Sequence, residues 1–322
     1  MATARTRWAP WPWPRRPWEW PDPAARVSPP AMHPLLEELL SQGPVITDGA
    51  WGTELQARGL GAGETPDLWN LTHPERVGEV AAAYVAAGSR VILTNTFGAN
   101  RIRLAEAAAG DQAGEINARG VEISRQAAAG RARVFASIGP TGKLLMNGDV
   151  TEAELWAAFR EQARALAGAG ADALVVETMS DLAEATVAIG AARETGLPVV
   201  ASMVFDSGKE KDRTMMGNTP EQAVQALITA GADVVGANCG QGAAGFIGIC
   251  RRMRAVTDRP IWMKPNAGLP IMVAGQPRYT TTPEEFAGSI PALVQAGANL
   301  VGGCCGTRPE FIVAAGRALR HR

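Results

Sequence analysis

The chain has little of what several common kinds of functional site require. It contains three histidines, His33, His73 and His321, and none lies at the end of a predicted strand, which disfavours a histidine-based metal site or triad. No apolar run approaches the roughly 20 residues that a membrane-spanning helix needs. The net charge of −1 gives no electrostatic reason to bind nucleic acid or an anionic membrane. We therefore expect neither among the partners.

Cysteine is also scarce, with four in 322 residues, which is too few for a disulfide framework in a chain of this size. No secretory signal is recognisable, so we expect a reducing, cytoplasmic location. Cysteines there more often bind metal or take part in catalysis. The content of 46% hydrophobic and 20% charged residues is typical of a globular protein.

Residues 1–31 differ in composition from the rest of the chain. Prolines and arginines alternate there with Trp8, Trp11, Trp13, Trp18 and Trp20. Closely spaced prolines exclude helix and central strand, so we predict a disordered arm and place the folded domain at 32–322. A basic, aromatic peptide that touches a membrane is the alternative interpretation, and a start codon assigned too early would also explain the segment.

From residue 35 onward, apolar segments rich in β-branched residues alternate with helical patterns. Eight of them predict strands, at Val45–Thr47, Arg90–Thr96, Arg133–Ile138, Ala173–Thr178, Pro198–Phe205, Val234–Cys239, Pro260–Asn266 and Asn299–Cys304. The segments are continuously apolar rather than alternating, which is typical of a parallel sheet covered on both faces.

The predicted helices between these strands share their beginnings and their ends. Three of them begin with similar capping boxes, headed by Thr151, Thr219 and Thr282. Three end at a glycine within Ala-Gly-Ala-Asp or Ala-Gly-Ala-Asn, and a strand follows at once. Eight strand–helix units predict a single-domain (β/α)8 TIM barrel with its functional site at the C-terminal ends of the strands. A doubly wound open sheet is the alternative, disfavoured because no G-x-G-x-x-G follows the first strand.

Three of the four cysteines lie where a predicted strand meets a glycine-rich turn. Cys239 ends strand 6, and Cys304 and Cys305 end strand 8. Because the strand ends meet at one rim of a barrel, we expect the three thiols to converge. Three thiolates on a zinc ion leave the fourth tetrahedral position open for a substrate. A substrate that is itself a thiol would be held there as a nucleophilic thiolate.

Two alternatives stay open for these cysteines. Free cysteine is often a small buried hydrophobe, and Cys304 could form a vicinal disulfide with Cys305. Adjacent strand residues point to opposite faces, so the two can share an ion only where the chain turns, which the flanking glycines allow. The fourth cysteine, Cys250, lies on the helix after strand 6, and we interpret it as an inert core residue.

Asp48 and Glu177 are the carboxylates best placed for chemistry, since each ends a predicted strand. At the mouth of a barrel they could bind an ammonium group or transfer protons. The alternative is that either carboxylate only orients backbone amides or caps the next helix. Gly49, next to Asp48, fits a loop whose amides approach an anionic group such as a carboxylate.

Seven short segments spread across the barrel form a recognisable pattern. They are Asp48-Gly49-Ala50-Trp51-Gly52-Thr53-Glu54, Asn95-Thr96-Phe97-Gly98-Ala99-Asn100-Arg101, Ile138-Gly139-Pro140-Thr141-Gly142, Glu177-Thr178, Asn238-Cys239, Pro265-Asn266-Ala267-Gly268 and Gly302-Gly303-Cys304-Cys305-Gly306-Thr307. In this order and spacing the chain, from about Leu35 to Arg317, resembles the homocysteine S-methyltransferase family. The resemblance is greatest to the homocysteine-binding barrel of cobalamin-dependent methionine synthase.

The resemblance implies a function for the cysteines and for several polar residues. It implies that Cys239, Cys304 and Cys305 bind zinc and that the sulfur of homocysteine takes the fourth position. The implied substrate-binding residues are Asp48, Gly49, Asn95, Glu177 and Asn266, the last of which would border the open zinc position. The implied reaction is in-line attack of the zinc-bound thiolate on an activated methyl group, which gives methionine.

The methyl donor is expected to come from outside the chain. The sequence stops soon after the barrel, and no histidine fits the cobalamin-binding pattern Asp-x-His-x-x-Gly. We therefore expect methylcobalamin on a separate corrinoid protein, with betaine and S-methylmethionine as alternatives used elsewhere in the family. The segment from Asn95 to Asn100 resembles the cobalamin type. A non-catalytic zinc- or thiol-binding barrel is the alternative from another functional class.

Two residues depart from the family pattern. Trp51 stands where such enzymes often have methionine, and Lys264 precedes Pro265-Asn266. Trp51 could cover the site as a hydrophobic lid or reshape it for another thiol. Acceptors other than homocysteine are therefore an open alternative.

Overall fold

A computed structural model describes residues 32–273 and 276–320 of the chain. The predicted disordered arm over residues 1–31 lies outside the described residues. In chain order the α-helices are α1 (Pro34–Leu40), α2 (Trp51–Ala57), α3 (Trp69–Thr72), α4 (Pro74–Ala86), α5 (Arg101–Ala105), α6 (Ala113–Ala128), α7 (Glu152–Gly168), α8 (Leu182–Arg193), α9 (Pro220–Ala230), α10 (Ala243–Val256), α11 (Pro283–Gln295) and α12 (Pro309–Arg320). The strands are β1 (Val45–Ile46), β2 (Val91–Ile92), β3 (Arg133–Ile138), β4 (Ala173–Met179), β5 (Val199–Met203), β6 (Val234–Gly242), β7 (Ile261–Asn266), β8 (Ile271–Val273), β9 (Gln276–Arg278) and β10 (Leu300–Val301).

Eight of these strands form one parallel sheet that closes on itself. The neighbours follow the order β1-β10-β7-β6-β5-β4-β3-β2. A bridge between Thr47 and Val91 joins β1 to β2, the two ends of this order. Beside it, Arg90 N donates to Ile46 O at 2.8 Å. With helices between successive strands, this is the predicted (β/α)8 TIM barrel. The prediction is confirmed, and the closed ring differs from the open-sheet alternative.

The second strand is shorter than predicted because the chain bends away to form the barrel mouth. The sequence predicts Arg90–Thr96, whereas β2 ends at Ile92. The next amide, Leu93 N, donates to the Asp48 carboxylate at 2.7 Å instead of to a neighbouring strand. A side chain thus replaces the backbone partner, and the residues that follow leave the sheet.

Most of the other predicted strand boundaries agree with the structure, and two differ from it. The predicted strand Asn299–Cys304 contracts to β10, while β6 extends to Gly242, beyond its predicted end at Cys239. The remaining five predicted strands agree with the structure to within two residues at each end. The antiparallel hairpin of β8 and β9 was not predicted, since each of its strands is only three residues long.

The barrel interior is a separate apolar core. Inward residues near the strand starts form one cluster, in which the rings of Trp262 and Phe135 stack with centroids 6.3 Å apart. Leu36 and Leu39 of α1 pack into the same cluster, so this helix covers the end of the barrel opposite the strand C-termini. A larger apolar cluster lies between the barrel and the surrounding helices. Polar groups are thereby left to the C-terminal mouth.

The helix boundaries follow the predicted local signals. All three capping boxes are present, with the threonine side chain accepting from the third helical amide and the Glu or Gln side chain accepting from the threonine amide. Gly170, Gly231 and Gly297 have φ of +92°, +107° and +117°, the left-handed conformation that ends a helix. Within the described part of the chain, no helix is both long enough and apolar enough to cross a membrane.

Gly236 provides a test of the packing inside the barrel. A Cβ at this position on β6 would lie 1.9 Å from the main-chain oxygen of Trp262 on β7, and a backbone atom cannot move aside cheaply. We expect Gly236→Ala to lower the free energy of unfolding by at least about 3 kcal/mol, the upper end of the usual cost of overpacking. Gly248, on the exposed face of α10, has open space at its Cβ, so Gly248→Ala should raise stability by about 0.5–1 kcal/mol. Urea unfolding of both variants measures the difference, and equal stabilities would contradict this account of β6.

Candidate functional site

Three cysteines from two strand ends converge at the barrel mouth; we call Cys239, Cys304 and Cys305 the thiol cluster. Their Sγ atoms all lie within 4.8 Å of one another, and those of Cys239 and Cys305 are 3.8 Å apart. Tetrahedral thiolate ligands, each about 2.3 Å from a zinc ion, lie about 3.8 Å from one another. All three are free thiols, so Cys304 and Cys305 do not form the vicinal disulfide considered as an alternative.

Unusual backbone conformations bring these sulfurs together. Cys239 has φ of +63°, and the pairing of β6 with β7 shifts register between Asn238 and Gly242. A left-handed conformation costs a non-glycine residue about 1–3 kcal/mol and is common where a site imposes it. At the other strand end, Thr307 N donates to Cys304 O at 3.0 Å, and Gly306 has φ of +80°. This turn allows two adjacent cysteines to share one centre, as the glycines led us to expect.

The thiol cluster accepts one negative charge readily and resists more. Hydrogen bonds from Cys304 and Cys305 lower the pKa of Cys239 to about 3. The contact with Cys239 raises the pKa of Cys305 to about 11 and that of Cys304 well above its usual value. The three thiols therefore titrate together, with the first proton lost early and the others retained. A bound cation is what would allow all three to be thiolates at neutral pH.

Asn238, one residue before Cys239, organises the neighbouring strand ends. Its Oδ1 accepts from Thr178 N at 2.8 Å and from Ser202 Oγ at 2.6 Å. Its Nδ2 donates to Thr178 Oγ1 at 2.6 Å and lies 3.8 Å from Cys304 Sγ. These bonds hold Thr178 at φ of +61°, a strained value for a β-branched residue. Sequence reasoning missed this role, although the adjacency of an amide to a predicted ligand was a usable signal.

Tyr279, just after the β8–β9 hairpin, is a second residue that sequence reasoning missed. Its ring lies against Gly306, where a Cβ would come within 2.3 Å of it. Its hydroxyl hydrogen-bonds to Cys305 and lowers the pKa of that thiol, against the larger effect of Cys239. Burial raises the pKa of Tyr279 itself above its usual range. No sequence signal pointed to it, because its contacts with Cys305 and Gly306 join residues distant in the chain.

Asn266, at the end of β7, borders the thiol cluster. Its side chain hydrogen-bonds to Cys239 and helps to lower the pKa of that thiol, after the larger effects of the two other cysteines. Its Oδ1 is buried and has no hydrogen-bond partner among the described residues. An unpartnered buried carbonyl oxygen beside thiolates suits a cation or a hydrogen-bond donor.

Glu177, near the end of β4, is a buried carboxylate at the same mouth. Its Oε1 accepts from Ser137 Oγ at 2.5 Å. Burial raises the pKa of Glu177, and the positive charge of Lys264 and the Ser137 hydrogen bond lower it in part. The charge of Cys239 also raises this pKa, by a smaller effect. Its contact with a substrate stays a prediction.

Asp48, two residues beyond β1, is wholly buried, and both of its carboxylate oxygens accept hydrogen bonds. Its Oδ1 accepts from Lys264 Nζ at 2.5 Å, and its Oδ2 accepts from Trp51 Nε1 and from Leu93 N, both at 2.7 Å. Lys264 is itself only 2% exposed. Both departures from the family pattern, Trp51 and Lys264, therefore act on one carboxylate. Direct contact of Asp48 with a substrate stays a prediction.

Gly49 and Asn95, two further predicted substrate contacts, are held by protein neighbours. A Cβ on Gly49 would lie 2.6 Å from Thr307 O, so packing alone requires glycine there. The Asn95 amide donates to Pro66 O at 2.7 Å and to Asn70 Oδ1 at 3.0 Å. These bonds account for the two residues structurally, and their substrate contacts stay predictions.

Cys250 lies apart from the thiol cluster, as predicted. It is fully buried on α10, and its Sγ lies 3.8 Å from Leu293 O. Burial raises the pKa of this thiol to about 12, which leaves it protonated and unreactive at neutral pH.

Comparison with known proteins agrees with this geometry. The family model for homocysteine S-methyltransferase matches residues 45–319. The methionine synthase of Mycobacterium tuberculosis is 31% identical over 296 residues, which cover 86% of this chain and 25% of that protein. The methionine synthase of Mycobacterium leprae is 30% identical, with 86% and 24% covered. The chain thus spans about a quarter of the length of these relatives.

A solved structure shows the same architecture. The metallated form of the homocysteine methyltransferase MmuM from Escherichia coli superposes with a TM-score of 0.74 and 25% identity. The match covers 88% of this chain and 99% of that one. The family model accounts for most of the chain, and its range includes all three cysteines of the thiol cluster. The chain belongs to the homocysteine S-methyltransferase family.

Proposed function

We propose that this barrel transfers a methyl group to the thiol of homocysteine to give methionine, and that Cys239, Cys304 and Cys305 hold a zinc ion for this purpose. The observation that carries the proposal is the convergence of three free thiols at the strand ends of a family-matched barrel. We further propose that the reaction takes place in the cytoplasm, where such thiols stay reduced.

The residues present suit a zinc ion. The spacing of the sulfurs agrees with tetrahedral thiolate coordination, and three protein ligands leave one position for a substrate. The unpartnered Oδ1 of Asn266 lies beside the cluster, where it could border that position. Zinc bound there would lower the pKa of the acceptor thiol, so that it is a thiolate near neutral pH.

The chain's own residues orient the acceptor. We propose that the buried Glu177 carboxylate binds the ammonium group of homocysteine. Asn238 and Tyr279 fix Cys304 and Cys305 through hydrogen bonds, so the cluster is preorganised. In the transfer, the acceptor sulfur forms a bond to the methyl carbon while the donor–methyl bond breaks and its electron pair stays with the donor. The thiol proton leaves to solvent when the acceptor binds.

We propose that the methyl donor is methylcobalamin on a separate corrinoid protein. The support is the similarity to methionine synthases and the family segment from Asn95 to Asn100. Betaine and S-methylmethionine are the competing donors. The experiment that tests the function supplies each donor with homocysteine to the zinc-loaded chain and follows methionine. Methionine should form with methylcobalamin, and stoichiometric zinc without transfer from any donor would favour a non-catalytic barrel.

Removal of one thiol tests the metal site. Cys239→Ala takes away one of three ligands, so we expect zinc content to fall to background. Methyl transfer should fall by more than the roughly 10–100-fold that loss of a ligand's outer partner costs. Metal analysis of the purified protein, together with the methionine assay, measures both. Cys250→Ala removes the buried thiol of α10 and should keep full zinc content, and loss of zinc from it instead would contradict the assignment.

Neutralising Glu177 tests ammonium recognition. Glu177→Gln keeps the shape but removes the charge, so we expect the KM for homocysteine to rise about tenfold or more. Because burial raises the pKa of Glu177, the wild-type KM should also rise as the pH falls toward that pKa, and the variant should lack this rise. Glu184, a buried glutamate that accepts from Thr141 N at 2.7 Å, offers the matched control Glu184→Gln. Equal KM values for the two variants would remove Glu177 from the acceptor site.

A further inference from the structure

Lys264 is a buried ammonium with unused hydrogen-bonding capacity at the barrel mouth. Its side chain is 2% exposed, and among the described residues its Nζ has one hydrogen-bond acceptor, Asp48 Oδ1. An ammonium group carries three N–H donors, so two are left without a protein acceptor. A buried charge with unmet donors is costly unless something else pairs with it.

Lys264 neighbours several residues of the proposed acceptor site. Lys264 and Asn266 lie two residues apart on β7 and so share the inward face, above Trp262, whose ring centroid is 5.5 Å from Nζ. In the sheet, Lys264 pairs with Asn238, the residue that contacts Cys304 Sγ. Its positive charge also acts on Glu177 more than any other charged neighbour does.

Asp48 holds the Lys264 ammonium through one N–H donor and leaves the other two available for a ligand. Its two oxygens accept from Lys264, Trp51 and Leu93 N, and the carboxylate has no exposed surface. It therefore fixes the direction of Lys264 while it is itself shielded from a ligand. Glu177, whose Oε2 has no hydrogen-bond donor among the described residues, is the carboxylate left for a cationic group.

We propose that Lys264 binds the carboxylate of the acceptor and so makes the site specific for thiols that carry both an ammonium and a carboxylate group. Asp48 is the positioning residue that aims Lys264, and Glu177 receives the ammonium group. This assignment rests on the proposed function and names the residue that selects its substrate class.

Three thiols separate the two charged contacts. Homocysteine carries both groups, 4-mercaptobutanoate lacks the ammonium, and 3-mercaptopropylamine lacks the carboxylate. Calorimetric titration of the zinc-loaded chain under reducing conditions gives the affinity for each. We expect Lys264→Met to weaken homocysteine and 4-mercaptobutanoate about tenfold or more, and to change 3-mercaptopropylamine by less than about threefold. Glu177→Gln should weaken homocysteine and 3-mercaptopropylamine and spare 4-mercaptobutanoate.

Lys264→Met removes the ammonium partner of the Asp48 carboxylate. If this loss makes the protein unstable, a second variant keeps the test decisive. Lys264→Met combined with Asp48→Asn removes both charges and should show the same selective loss of carboxylate-bearing thiols. Wild-type affinity ratios in that double variant, or an equal loss for all three thiols, would overturn the role of Lys264. Failure of the unaltered zinc-loaded chain to bind any of the thiols would instead contradict the proposed function.

Discussion

Polar groups inside the mouth of the barrel must find partners on other strands, and this constraint shapes the whole site. Eight parallel strands bring their C-terminal ends to one rim, where Asp48, Lys264 and Asn238 are buried. The Asp48 carboxylate therefore pairs with Lys264 from β7 and with Leu93 N beyond β2. Asn238 likewise joins β4, β5 and β6. Breaking one partner of such a buried pair is costly, so these contacts hold the strand ends in one arrangement.

The few groups that the network leaves unpaired indicate where ligands belong. The Asn266 Oδ1 and two donors of Lys264 have no protein partner among the described residues, although both side chains are buried. Asn266 borders three thiols, of which only Cys239 loses its proton easily. A cation at the thiols and a zwitterionic acceptor beside them would satisfy all of these groups at once. The described residues of the protein alone thus leave hydrogen-bonding groups of the site without partners.

The backbone at the rim is strained in and beside the thiol cluster. Thr178, which follows Glu177, and Cys239 of the thiol cluster both adopt positive φ. The Asn238 hydrogen bonds to Thr178 supply part of the energy that holds this geometry. A regular strand would direct successive side chains to opposite faces, so irregular strand ends are what allow neighbouring residues to act on one ligand.

The sequence by itself determined the architecture and the convergence of the three cysteines. Continuous apolar strands, threonine capping boxes and glycine helix ends are local signals, so they predicted the barrel and most boundaries before any contact was known. Three cysteines at strand ends predicted the thiol cluster for the same reason, since parallel strands must end at one rim. Only the tertiary structure decided that Asp48 pairs with Lys264, that Tyr279 reaches Cys305, and that β2 ends at Ile92. These features depend on contacts between residues far apart in the chain, and a local sequence pattern does not show which distant residues lie close together in space.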